Sequence, residues 1–128
     1  MREDQKISQE IVKLMWSIMS HEAVKFEFYG KIYNSYDENR AVFFNNKNEQ
    51  FYFEFDEMPV EIFDQIVKLA RQLRTLPPYK KEPWTHFKVT LHDDGKFNFD
   101  FAYIPEEKDE PGIYMKEGNP APYPPQEN

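Results

Sequence analysis

Apolar residues recur along this chain at two periods, and the changes from one period to the other divide it into elements. Ile7, Ile11, Leu14, Met15 and Ile18 fall three or four apart, with Val12 and Met19 widening the stripe, so a helix is predicted from about Asp4 to Ser20. Trp16 lies off the centre of that stripe and is expected to pack at the helix edge against a sheet. A period of two then begins. Val24, Phe26, Phe28 and Ile32 alternate with Lys25, Glu27, Tyr29 and Lys31, which predicts a long strand from about Ala23 to Tyr33. Gly30 falls on the apolar parity, where it marks a bulge or leaves room for a bulky neighbour. A turn at 34–39 leads to a second strand from Arg40 to Asn45. A third runs from about Gln50 to Asp56, with Phe51, Phe53 and Phe55 on one face and Tyr52 and Glu54 on the other. Pro59 suits the first turn of a helix, where its missing N–H would be unpaired anyway. Ile62, Phe63, Ile66, Val67, Leu69, Ala70 and Leu73 form that helix's stripe, and Pro77-Pro78 ends it.

The most regular alternation comes last. Phe87, Val89 and Leu91 alternate with polar residues, as do Phe97, Phe99 and Phe101, on either side of Asp93-Asp94-Gly95. Gly95 takes a positive φ at little cost, so the stretch reads as a β-hairpin. The element order is thus α-βββ-α-ββ. Each helix has one apolar stripe and each strand one apolar face, which predicts an α+β two-layer sandwich: an antiparallel sheet of about five strands with both helices on one face. The helical crossover between strands three and four leaves the strand order open.

Charge and composition add a second segment. A single α+β domain is expected over residues 1–104, and residues 105–128 read as an acidic, Pro-rich tail, extended or disordered. From Glu106 onward six acids face two bases, within a chain of net charge −7. An acidic protein is a poor ligand for nucleic acid, whose phosphates demand Lys or Arg, and suits a basic partner instead. No apolar run is long enough to span a bilayer and the N-terminus lacks the build of a signal peptide, so a cytoplasmic protein is expected. Without cysteine, disulfides and thiolate metal sites are excluded.

Candidate chemistry is sparse. His86 and His92 share the polar face of one strand, but six residues of strand hold them ~20 Å apart, too far to share a metal ion; solvated surface histidines are expected. Asp93-Asp94-Gly95 lacks the further carboxylates of a calcium loop. The serines and threonines lie in no nucleophile motif and the four glycines are scattered singly, leaving no phosphate loop. Trp84 could stack on a base or sugar, although its place at the start of a strand favours the edge of the core. No catalytic residue, metal site or cofactor is predicted, and the chain reads as no enzyme.

Polar-parity aromatics point to a partner instead. Tyr29, Tyr33, Tyr52 and Phe43 fall opposite the core-facing parity, and tyrosines on an open sheet anchor partners at low entropic cost. Tyr29 and Tyr52, with the acids Asp37, Glu54, Asp93, Asp94 and Asp100, form the candidate partner-binding set.

One resemblance bears on that partner. Glu82-Pro83-Trp84-Thr85, followed by Asp94-Gly95-Lys96-Phe97 and closed by Asp100 and Tyr103, resembles the signature of the YezG-type immunity (antitoxin) proteins. The likeness covers roughly Ile7 to Tyr103. It implies an α+β immunity protein that binds and neutralises a toxin domain encoded nearby, expected to be a nuclease, by direct contact and without a cofactor. Family members often continue into a further ordered segment after the last strand, and here the chain departs by turning acidic and Pro-rich. The alternatives are a chaperone or binding module for a secreted protein and, further off, a small hydrolase. An adjacent toxin gene would separate the first two.

Overall fold

In the computed structural model, which describes residues 1–109, the chain runs α1 (Glu3–Ile18), β1 (Lys25–Ile32), β2 (Asp37–Phe44), β3 (Gln50–Phe51), α2 (Val60–Leu73), β4 (His86–His92) and β5 (Phe97–Ala102). Single 3-10 turns occupy Phe55–Glu57 and Glu106–Lys108. The α+β class and the α-βββ-α-ββ order match the expectation. The strands pair antiparallel in the order β3-β2-β1-β4-β5. The crossover through α2 therefore carries the chain from one sheet edge to the far side of β1, which becomes the central strand.

Register explains the core. Phe26 stands beside Phe43 and Leu91, Phe28 beside Ala41 and Val89, and Gly30 beside Phe87. These side chains meet Ile7, Ile11 and Met15 of α1 and Phe63, Ile66, Val67, Ala70 and Leu73 of α2. Rings link the layers: Phe26 and Phe43 have centroids 4.6 Å apart, Phe28 and Phe63 5.5 Å. Phe43, expected on the polar parity, is thus a core residue, because its opposite number across the ladder is Phe26. The ladder is continuous through Gly30, so there is no bulge there. A Cβ at Gly30 would lie 2.2 Å from the Phe87 ring, and the glycine is the space that ring occupies.

Three other expectations change. The third strand ends after two residues, because it is an edge strand with a ladder on one side only and the chain must climb from the sheet to the helical layer. Phe53 still packs against the core, but Phe55 sits on the 3-10 turn and is 92% exposed. The second strand opens at Asp37 rather than Arg40, since a short turn closed by Tyr33 N–H donating to Tyr36 O (2.9 Å) brings the chain straight back. Trp16 is 51% exposed, so its ring is a surface feature of α1. Past β5, Ile104 and Asp109 contact the sheet; the expectation for residues 110–128 lies outside the described residues.

Candidate interaction surfaces

The helix-free face of the sheet was expected to be solvated, and it is largely buried. By register it carries Glu27, Tyr29 and Lys31 of β1 between Val42 and Phe44 of β2 and His86 and Lys88 of β4. All of these are buried, with Tyr29 only 2% exposed. Glu27, Tyr29, Lys31 and Lys88 are paired within the chain, whereas His86 Nε2 has no hydrogen-bond partner among the described residues. Glu27 accepts a hydrogen bond from the Tyr29 hydroxyl and faces Lys25 Nζ at 3.4 Å and Lys88 Nζ at 3.8 Å; Lys88 reaches Asp100 at 3.8 Å. Tyr29 packs with Val42, Phe44 and Ala102, so it is a packing residue of this face and not an exposed anchor.

At the other end of the same face Ile104–Asp109 lies across the sheet. The Tyr33 hydroxyl donates to Ile104 O (2.8 Å), and the Ile104 N–H donates to Thr85 Oγ1 (2.9 Å). Asp109 takes two hydrogen bonds of 3.1 Å from fully buried Lys31 and one from the Tyr36 hydroxyl. Glu38 lies 3.3 Å from the same ammonium. His86, expected at the surface, is fully buried, with Nδ1 2.8 Å from Thr85 Oγ1 and Nε2 3.9 Å from Asp109. Removal from water pushes its pKa down to about 4, with Lys31 adding to the depression and Asp109 opposing it. Burial raises Tyr33 to about 12, helped by the Asp109 charge. The hydrogen bond to Asp109 raises Tyr36. Desolvation pushes Asp109 up, yet hydrogen bonds from Tyr36 and Lys31 together with the Lys31 charge hold it below the ordinary range. Among the described residues no three His, Cys, Asp or Glu side chains converge as a metal site.

The Glu82-Pro83-Trp84-Thr85 stretch is structural in its two best-placed members. Trp84 is fully buried, stacked on Phe101 at 4.9 Å and set edge-on to Phe87 at 5.4 Å, while its carbonyl accepts from Arg74 Nε at 2.7 Å. Thr85 ties the start of β4 to both neighbours: its carbonyl accepts from Ile32 N–H and its N–H donates to Ala102 O. In the hairpin, Gly95 has φ +89° and Asp94 Oδ1 accepts from Lys96 N–H, which is why this turn needs that glycine and that aspartate.

The remaining candidate residues are not brought together. Asp93 and Asp94 lie at the tip of the β4–β5 hairpin, at the sheet end where β1 begins. Asp37 opens β2 at the opposite end and is held by Arg71 at 2.8 Å. Asp100 sits half-buried beside Lys88 near the β5 edge. Tyr52 and Glu54 share a different neighbourhood, next to the far edge, β3.

That neighbourhood holds a surface the periodicity did not reveal. Tyr52, Phe55, Met58 and Val60 are 49, 92, 45 and 57% exposed, four large apolar side chains within nine residues. Beside them a groove of about 440 Å³ opens between β2 and the start of α2, floored by Ala41, Phe53 and Phe63. The loop is held by its own backbone: Glu57 N–H donates to Glu54 O, Val60 N–H to Met58 O and Phe63 N–H to Pro59 O. Assigning Phe55 to the core parity of a full-length strand hid this patch. The available signal was Pro59 after two acids, which marks a chain leaving its sheet.

No helix among the described residues is long and apolar enough to cross a membrane. No curated protein matches the chain. The family model described as immunity protein YezG-like matches residues 5–117. The match runs past Tyr103 into the segment read as a departure, and so takes in the Ile104–Asp109 strap. With nearly the whole chain matched, the protein belongs to the YezG-like immunity protein family.

Proposed function

We propose that the chain confers immunity by binding a nuclease toxin domain directly, in the cytoplasm, with no chemistry of its own. The family match over residues 5–117 carries the immunity reading. The net charge of −7 supports a nuclease as its object, because a nuclease must present a basic surface to its substrate. A protein of this charge occupies or flanks such a surface by complementarity, and exposed apolar side chains then slow its release. The exposed acids Glu54, Asp93 and Asp94 contribute to the attraction in this reading, and Tyr52 to the contact.

Co-expression with the toxin domain encoded beside its gene tests this. Cells carrying both should survive, while the purified protein should inhibit that domain at one-to-one stoichiometry and bind neither DNA nor RNA alone. Toxicity undiminished by co-expression overturns the immunity reading. Protection accompanied by nucleic-acid hydrolysis or binding by the purified protein overturns the non-catalytic mechanism.

A further inference from the structure

We infer that the toxin docks on the segment from Tyr52 to Asp64, with Phe55 inserted into the toxin as the central anchor. This rests on the immunity reading and deepens it. An aromatic side chain that is 92% exposed gains nothing from the fold that holds it. Burying it would stabilise the complex by roughly 25 cal/mol per Å² of apolar surface removed from water. The side chain is presented on a turn fixed by Glu57 N–H to Glu54 O at 2.9 Å, so little ordering is lost on binding. Tyr52, Met58 and Val60, exposed in the same segment, line the 440 Å³ groove, which can receive a side chain in return.

Charge selects the occupant. Glu54, Asp56, Glu57, Glu61 and Asp64 all lie in residues 52–64, which contain no Lys or Arg; Arg40 of β2 also lines the groove, held against Tyr52 by a hydrogen bond to its hydroxyl, so five acids stand against one cation. Two copies of this surface would repel each other across a shared interface, so self-association is disfavoured. A partner with Lys and Arg arranged around an apolar recess fits, and the nucleic-acid-binding face of a nuclease is such a surface. This relocates the interface from the helix-free sheet face, whose charges are already paired within the chain, to the β3–α2 edge.

The test uses the full chain and a catalytically inactive form of the toxin domain encoded beside its gene, with kinetics measured by surface plasmon resonance. Phe55→Ala should leave the melting temperature unchanged and weaken binding by about 30-fold, mainly through faster release. Glu54→Gln, Asp56→Asn and Glu57→Gln combined should slow association roughly tenfold and flatten its salt dependence. Trp16→Ala, which removes a half-exposed aromatic beside Leu91 and Gly95 on the opposite side of the domain, should stay within about twofold of wild type. Wild-type binding that neither the Phe55 nor the acid variants alter overturns the interface and leaves immunity standing. Wild type that neither binds nor protects overturns both. A dimer of the free chain that Phe55→Ala dissolves also overturns the proposal, by giving the surface a second copy as its occupant.

Discussion

A methyl group placed on Gly30 would stand 2.2 Å from Phe87 Cε1 and 2.5 Å from Cζ, in a strand that is buried on both faces. The ring has little freedom to yield, since Phe28 lies against it at 6.1 Å and Trp84 at 5.4 Å. Gly30→Ala should therefore destabilise the fold by about 1–3 kcal/mol as an overpacking strain, despite the better strand propensity of alanine. Urea denaturation measures this, and Phe87→Leu added to Gly30→Ala should recover part of the loss where Phe87→Leu alone costs stability. Additive effects of the two substitutions would mean that the ring is not what excludes the methyl. Sequence parity located Gly30 on the core side and left two reasons for it open; choosing between them required the β1–β4 register, which places Gly30 beside Phe87.

The elements legible in the sequence were those with their own period. Both helices, β1 and the β4–β5 hairpin follow from spacing, because each packs one continuous apolar stripe or face into the core. What failed depends on partners distant in the chain. β3 was overextended since alternation at Phe51, Phe53 and Phe55 says nothing about whether a ladder partner exists, and β2 provides one for two residues only. His86, Lys31, Glu27 and Tyr29 were read as solvated because their parity is polar, yet they pair with one another and with Asp109. The same burial makes the Ile104–Asp109 strap acid-sensitive. His86 has a folded pKa of about 4, below its ordinary 6.5, so the unfolded chain takes up the proton first. The stability this neutral imidazole allows is complete above pH 6.5 and is lost as pH falls through 4, by about 3 kcal/mol in all. Asp109, also depressed, loses its contribution on protonation at still lower pH. Lys31, Glu38, Tyr33 and Tyr36 frame the pair. Unfolding free energies from pH 7 to 4 should thus fall more steeply for wild type than for His86→Gln, and parallel curves would show that His86 is not the group responsible.

On the scale of the whole molecule, a net charge of −7 acts before any contact forms, and its effect separates from that of the docking surface. Long-range attraction is screened over about 10 Å at 0.1 M salt, whereas apolar contacts are not. Association with the toxin domain should therefore slow by roughly tenfold between 0.05 and 0.5 M salt while dissociation changes little. The acids differ in how much of that field they supply. Asp37 is paired with Arg71, and Asp100 lies beside Lys88, so replacing either by asparagine should leave association within about twofold. Asp93 and Asp94 are exposed at the hairpin tip, distant from β3, with Lys96 Nζ 3.9 Å from Asp94 in a solvent-exposed pair that screens it weakly, and they act only through the overall field. Their joint replacement should lower the association rate modestly and leave dissociation alone. A large rise in dissociation from the Asp93 and Asp94 pair, measured by the same kinetics, would place the toxin against the β4–β5 hairpin, where Phe97 and Trp16 are the exposed rings, and would remove the Tyr52–Asp64 surface from contention.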